Sequence, residues 1–455
     1  MLFSRSVRAG ALALMFCSLP ALAHAETMRE ALTSAYINNP SILSALLNVK
    51  STAENIALAK SAKLPNIGAS ISSNSSYTFD GNNKVNIPTV NAGISYQQTI
   101  FDNFKSDADI EAARAITEAS RYSLQNSEQN VFLAVVQAYM GVIRDTQLIK
   151  LRQDNVTFYQ AQVQSAKDRL DIGEGTKIDV SQAEARLAQG TASYQAAVAS
   201  LQTSQASYER YVGHKPKNLT TTYRLGTLMP KSLESAIAEA TSSHPAILAA
   251  KAGVRASQAN SDAANAAFGP TLNFTSSIGS TVLGPGSILA PNDPSPRVSA
   301  QFSLSIPIYA GGRFGANIRK ANIEQIKSEV DALATRDQIK ESVISAWSSM
   351  QNADAQIQSA TTAVSSGELT LEGVVQSRDV GQSTTLDVLN AQSELTSIRE
   401  GLIQANAAKV IASFALVAAT GHLTAADLSL DVEIKNGEDY IAKVEDVWQE
   451  LRALD

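Results

Sequence analysis

Gly173-Glu174-Gly175-Thr176-Lys177-Ile178-Asp179-Val180 returns 208 residues later as Gly381-Gln382-Ser383-Thr384-Thr385-Leu386-Asp387-Val388. The agreement continues through Ala183 and Leu187, matched by Ala391 and Leu395, to Gly213-His214, matched by Gly421-His422. Toward the N terminus, Ile100-Phe101 answers Ile308-Tyr309 at the same offset. Leu64-Pro65 then answers Gly269-Pro270, and Asn39-Pro40 answers His244-Pro245, at an offset of 205. So small a change of length over so long a match implies one structural unit present twice in tandem.

Proline placement divides each unit. None occurs between Thr89 and Lys215, and none after Pro307; both stretches are rich in Ala, Gln, Ser, Glu and Leu, which suit long helices. Val135, Val142, Ile149, Val156, Val163 and Leu170 recur every seven positions, and Val343, Met350, Ile357, Val364 and Leu371 repeat that row before Arg378 replaces the next apolar residue. A seven-residue seam implies left-handed supercoiling of packed helices. A partner seam alternates Val180, Leu187, Tyr194 and Leu201 with the small residues Ala183, Gly190, Ala197 and Ser204, which permit close approach. A helix over 105–171 is roughly 100 Å long at ~1.5 Å per residue, a rod that no compact domain needs.

Between the helices the period changes to two. Ile67, Ala69, Ile71, Tyr77 and Phe79 alternate with Asn66, Gly68, Ser70, Ser72, Asn74 and Thr78, and Val90, Ala92, Ile94 and Tyr96 alternate with Asn91, Gly93, Ser95 and Gln97. The second unit sets Leu272, Phe274, Ile278 and Val282, then Val298, Phe302, Leu304 and Ile306, against polar neighbours. Each unit therefore predicts one strand hairpin, over 66–101 and 271–309, with one apolar and one polar face. Aromatics near the strand ends (Tyr77, Phe79, Phe101, Phe268, Tyr309, Phe314) fit a transmembrane barrel better than an ordinary sheet covered by helices. Four strands cannot close a barrel, since roughly 8 is the smallest number found in membranes; three chains would supply 12.

The first 25 residues read as a secretory signal: Arg5 and Arg8, an apolar run from Ala9 to Ala23, and the small-x-small site Ala23-His24-Ala25. Its removal discards Cys17 and leaves 35 basic against 43 acidic residues, a net charge of −8. A mature chain without cysteine has no disulfides or thiol chemistry, and its acidity argues against nucleic acid as a partner. Beyond the signal no apolar run approaches the ~18 residues of a spanning helix. There is no Gly-x-Ser-x-Gly, no phosphate-cradling loop and no clustered histidine, so the inventory points away from an enzyme and names no catalytic group, cofactor or metal. His214, His244 and His422 read as cap or turn residues.

The duplicated helix-hairpin-helix plan, the Asn39-Pro40 and His244-Pro245 openings, and the tip motifs around Gly173 and Gly381 together resemble the TolC family of outer-membrane efflux and secretion channels, over essentially the whole mature length. The resemblance implies a mainly α chain with membrane β: a homotrimer whose 12-strand outer-membrane β-barrel is continuous with a long periplasmic helical, coiled-coil barrel. It implies an exit duct for efflux or type I secretion, working with a periplasmic adaptor and an inner-membrane pump of RND or ABC type, and contacting outer-membrane lipid. The corresponding division is 1–25 signal, 26–214 first repeat, 215–231 equatorial segment, 232–422 second repeat and 423–455 equatorial segment. In the last, Ile441, Val444, Trp448 and Leu451 have helical spacing. Two other readings compete: a trimeric adhesin, whose strands would form one C-terminal block, and a soluble periplasmic helical scaffold.

By the same resemblance, a carboxylate ring from the second repeat narrows the pore at the periplasmic tip. Asp387 takes the first ring position and Asn390 the second, where the family often has another Asp, giving three charges in place of six. Thr384-x-x-Asp387 and Thr176-x-x-Asp179 also read as helix-capping boxes, so capping is the role expected of both repeats. In the family a tyrosine and an arginine tie this region, at positions matching Arg378 and Ser383. Arg378 is accordingly expected to latch onto Asp179 of a neighbouring hairpin, the alternative being a solvated arginine. The turns Ile172-Gly173-Glu174 and Val380-Gly381-Gln382 are the expected adaptor contacts.

Overall fold

The computed structural model describes residues 25–81, 83–223, 225–283 and 295–445. The signal segment therefore lies outside the described residues but for Ala25, as do Trp448, Leu451 and most of the second hairpin's turn. The first unit runs α1 (Met28–Asn38), α2 (Pro40–Ser61), β1 (Asn66–Asp80), β2 (Asn83–Phe101), α3 (Lys105–Asp171) and α4 (Lys177–Val212). The second repeats it as α5 (Leu233–Ser243), α6 (Pro245–Ala266), β3 (Thr271–Leu283), β4 (Ser295–Ser305), α7 (Arg313–Asp379) and α8 (Thr385–Ala419), followed by the short α9 (Glu438–Glu445). Both long helices contain 67 residues.

Within each unit two shorter helices lie end to end beside a long one. The joint is made by the residue before each conserved-spacing proline, where Pro at the first helical position needs no N–H partner. In the first unit, the Asn39 side chain accepts from the Ser41 N–H at 2.9 Å and donates to the Tyr211 carbonyl at 3.0 Å, so one amide caps α2 and ties it to the end of α4. In the second, the His244 imidazole accepts from the Ala246 N–H at 3.1 Å and bonds the Ala418 carbonyl near the end of α8. Gly421 stands against the His244 backbone, where a Cβ would lie 2.9 Å from its Cα.

The turns from sheet to rod differ instructively. Gly311 and Gly312 enter α7 at φ of 62° and 81°, left-handed values that glycine adopts freely. Asn103 and Phe104 make the same turn at 57° and 66°. A left-handed phenylalanine costs about 1–2 kcal/mol. Its ring is returned to the sheet end, edge-on to Phe101 at 5.8 Å between centroids. Phe268 and Phe314 pair likewise at 5.4 Å.

The strands form one antiparallel sheet in the order β1-β2-β3-β4. Its register keeps the faces pure: Ala69, Ile94, Ile278 and Val298 share one row, and Ser72, Asn91 and Thr281 another on the opposite face. β4 ends at Ser305, short of Pro307, which has no N–H to donate to a ladder. Among the described residues no element covers the apolar side: Ile71 is 83% and Val298 72% exposed.

The main core lies partway along the rods. Tyr36, Phe132, Val135, Tyr139, Tyr208, Phe414 and Leu423 are buried there, joined by Leu219 and Leu228 of the inter-unit segment. Each large side chain contributes about 1.5–3 kcal/mol on burial. The C-terminal segment is bound to this belt through Ala425, whose N–H donates to Glu128, and through the Lys435 ammonium, which donates to the Tyr36 and Ile37 carbonyls at 2.9 and 3.1 Å. Burial pushes the Glu128 carboxyl up to about 7, against the lowering effect of the Ala425 bond.

One expectation needs amendment. An 18-residue window of α8 reaches a mean hydropathy of 1.6, enough by composition to cross a membrane. Its alanines raise the mean although polar residues interrupt every apolar run, and 44% of the window is buried inside the chain. α8 packs between α3 and α7, as the core helix of a helical wall would.

The His244 joint generates a pH prediction. Burial pushes the imidazole down to about 4, the Ala418 carbonyl opposing and His422 reinforcing the shift. A neutral ring preferred by the fold contributes stability that is complete above the ordinary value of 6.5 and is lost as pH falls through about 4. His244→Asn, which copies the first unit's joint, should show a shallower fall in melting temperature from pH 6.5 to 4. Equal slopes for the two proteins would refute the assignment.

Candidate functional site

The far ends of the two helical hairpins carry the candidate site. Both turns are closed by a glycine in the left-handed region, Gly173 at φ 81° and Gly381 at 80°. Past each glycine the chain doubles back onto the rod: the Glu174 N–H donates to the Arg169 carbonyl at 2.8 Å, and the Gln382 N–H to the Ser377 carbonyl at 2.8 Å. These bonds satisfy carbonyls that a helix C terminus leaves free. Ile172 and Val380 stand 70% and 71% exposed at the apex.

Both capping boxes form. The Thr176 N–H and hydroxyl donate to the Asp179 carboxylate at 2.9 and 2.6 Å, and the Asp179 N–H donates back to the Thr176 hydroxyl at 3.2 Å. Thr384 and Asp387 repeat this at 2.8, 2.7 and 3.2 Å. The Thr176 bonds hold Asp179 below the usual carboxylate range, and the Thr384 bonds do the same for Asp387. Both are thus charged at neutral pH. Asp387 is exposed, with one carboxylate oxygen engaged in its cap and the other left toward solvent.

Arg378 does not reach Asp179 within the chain, and it is not solvated. It is buried, donating to the Gln162 side chain of α3 at 2.6 Å and to Asp379 at 2.8 and 3.1 Å. The guanidinium thus ties the second hairpin to the first through Gln162 of α3. Asn390 is likewise held across the hairpins, accepting from Arg186 of α4 at 2.9 Å.

Further along the rods this cross-linking continues. Gln392 and Thr396 of α8 donate to the Asn155 side chain of α3 at 3.0 and 3.2 Å, all three buried, and Arg152 pairs with Glu400. Apolar contact is made by a small cluster of Tyr159, Val163, Ala166, Ala183 and Leu389, with Phe158, Val180 and Leu187 packed on it and Val388 and Leu395 buried on α8. Gly190 is required beside it, since a Cβ there would meet the Tyr159 ring at 2.9 Å. The hairpins are therefore held together at the tip by this modest apolar cluster and by a set of separable polar links.

Gln162, Arg186, Asn155, Gln392, Thr396, Arg152 and Glu400 were not singled out by the heptad reading. The signal lay in the comparison of the two units at the offset of 208. Gln162 faces Thr370, Arg186 faces Glu394, Asn155 faces Ala363, Thr396 faces Ala188, Arg152 faces Ala360 and Glu400 faces Ala192. Links between unlike hairpins fall where the two copies disagree.

A family model described as "Outer membrane efflux protein" matches residues 31–214 and again 236–422, one match per unit. The chain is 37% identical over 438 residues to "Outer membrane efflux protein BepC" of Brucella suis biovar 1 (strain 1330), covering 94% of this chain and 93% of that one. It is 22% identical over 419 residues to "Outer membrane protein TolC" of Escherichia coli (strain K12), covering 90% and 84%. Among solved structures, the Campylobacter jejuni CmeC outer membrane channel superposes with a TM-score of 0.78 at 15% identity, over 92% of this chain and 89% of that one, a likeness of fold.

The buried amide network can be tested by its asymmetry. Gln392→Leu alone leaves the Asn155 side chain with a lost partner and should destabilise by about 1–3 kcal/mol, whereas Asn155→Leu combined with Gln392→Leu should recover most of that loss. Thermal denaturation of the four proteins of this cycle measures the coupling. Additive losses would show that the two amides do not support each other.

Proposed function

The chain belongs to the outer membrane efflux protein family, and we propose that three copies of it close into the exit duct of a tripartite efflux or type I secretion assembly. It is an outer-membrane protein with a large periplasmic helical portion. The observation that carries the proposal is the sheet. Among the described residues its two edge strands, β1 and β4, each pair on one side only, and its apolar face has no cover. In lipid, unpaired backbone groups cost several kcal/mol each, so an open edge is excluded and closure by further copies is the physical remedy. Three copies give a 12-strand barrel, within the range that membranes hold.

The helices support the same closure. α7 buries only Val343, Ala353 and Arg378 along its length, while Ile323, Ile326, Val330 and Leu333 stand exposed. On the other side of the chain α2 exposes Leu43, Leu47 and Leu58. Two uncovered apolar flanks at opposite ends of one helical wall fit a ring in which each copy covers the next. In this reading residues 1–25 direct export and are removed, 26–214 and 232–422 form the duplicated wall, and 215–231 with 423–455 form the equatorial belt. The separation of the hairpins into two units favours a tube over the stalk of an adhesin.

At the tip, three Asp387 carboxylates converge and repel one another, and cross-hairpin links oppose that repulsion. Arg378 on Gln162 and Arg186 on Asn390 hold the second hairpin inward, with Asp179 fixing the start of α4 beside them. The apical turns Ile172-Gly173-Glu174 and Val380-Gly381-Gln382 receive the periplasmic adaptor, which couples the duct to an inner-membrane pump of RND or ABC type. Cargo passes through water without a binding pocket, so recognition of individual cargo molecules lies with the pump.

Three measurements test this. Native mass spectrometry from lipid should give a trimer, and planar bilayers should show ion conductance; a monomer that conducts nothing would end the proposal. Arg378→Ala should raise the conductance of the resting channel, and an unchanged value would remove Arg378 from the gate. Replacing Gly173 and Gly381 by Trp strains both left-handed turns and should abolish export while trimers still reach the membrane. Loss of the trimer itself would assign the turns to folding.

A further inference from the structure

The polar face of the sheet is almost free of charge. Following the register, its rows read Asn66 with Gln97 and Thr275, Gly68 with Ser95 and Ser277, and Ser72 with Asn91 and Thr281, all hydroxyl, amide or glycine. The side chains satisfy each other: Thr99 donates to Asn273 at 3.1 Å, Thr281 to Asn91 at 2.7 Å, and Ser277 and Ser299 lie 2.8 Å apart. Among the described side chains of the four strands, one residue breaks the rule. Arg297 is exposed on β4, paired in register with Gly279, and shares the polar face with Ser299 and Gln301.

Its row is Ser70, Gly93, Gly279 and Arg297. The two glycines are there for a reason: a Cβ on Gly93 would sit 3.0 Å from the Ile278 carbonyl oxygen, and one on Gly279 2.9 Å from that of Ala92. The strands approach so closely that the wall beside Arg297 is flat, leaving a long side chain free to extend along it. No described residue offers it an ion pair or a hydrogen bond. Arg297 lies toward the end of the sheet away from the rods, eight residues above the close of β4 at Ser305, or roughly 26 Å at ~3.3 Å per residue.

Resting on the duct reading above, we infer that Arg297 sets the charge selectivity of the membrane section: three guanidinium groups, one from each copy, form a cationic ring on a face whose other described side chains are hydroxyl and amide, favouring anionic cargo at the exit. An unpaired guanidinium backed by protein and lipid keeps its field in the water of the lumen. Among the described side chains of the polar face there is no carboxylate to cancel it, and Asp80 stands at the far end of β1, ten residues beyond Ser70 of the Arg297 row. The Asp387 carboxylates lie beyond the full length of the rods, many times the ~8–10 Å over which salt screens charge, so the two ends act independently.

The test is the reversal potential of purified trimers in planar bilayers under a KCl gradient. Arg297→Gln should lower the chloride-to-potassium permeability ratio by roughly twofold to tenfold at low salt, Arg297→Glu should lower it further, and both differences should shrink in 1 M salt. Asp387→Asn should leave the size of the Arg297 effect unchanged. Arg297→Cys gives a second route, because the only natural cysteine is Cys17: a cationic thiol reagent should restore the anion preference and an anionic one should reverse it. Channels that conduct normally with the same reversal potential in every variant would overturn the role of Arg297 and leave the duct intact. A wild-type protein that conducts nothing would instead overturn the duct.

Discussion

Backbone hydrogen bonding at the edges of the sheet is the constraint on which the rest of the molecule depends. Among the described residues β1 and β4 each carry a ladder made on one side only, and the apolar face they share is bare. Neither condition is tolerable in water, where the face would aggregate, nor in lipid, where the edge would go unsatisfied. The long helices extend the same incompleteness, with α7 burying three residues where α3 buries 24. The difference follows from position: α3 is packed by α2, α4, α6 and α8 within the chain, whereas α7 is packed by α5, α6 and α8 and keeps an uncovered apolar flank among the described residues.

Stability is distributed unevenly along the wall. The main core has large buried aromatics and two chain segments bound across it, and hydrophobic burial there is cumulative. The tips have a small apolar cluster and a set of polar links, each of which exchanges for water at modest net cost. A structure built this way opens locally where it is held by polar links and stays fixed where it is held by packing.

Much of the fold was legible because its periods are simple. The heptad row from Val135 to Leu170, the alternation from Ile67 to Phe79, and the Thr176 and Thr384 boxes each specify their local structure through near neighbours. The partner of Arg378 was not legible. Its departure from the apolar row was visible, but a choice between Asp179 and Gln162 depends on how four helices coil past one another. The Asn155, Gln392 and Thr396 cluster was hidden for a related reason. Polar residues in a seam look like tolerated surface positions until the facing helix is known to supply their donors and acceptors.

The equality of the two long helices has a consequence for how such a wall can change in size. Both contain 67 residues, and their partners α4 and α8 contain 36 and 35. Because the seam repeats every seven residues, an insertion of any other number rotates the apolar stripe away from its neighbour. Adapting the molecule to a wider gap between membranes therefore takes four coordinated additions of a whole heptad, one in each descending and each ascending helix. Stature in this architecture is quantised in steps of roughly 10 Å at ~1.5 Å per residue, and a lineage can drift in sequence far more freely than it can drift in height.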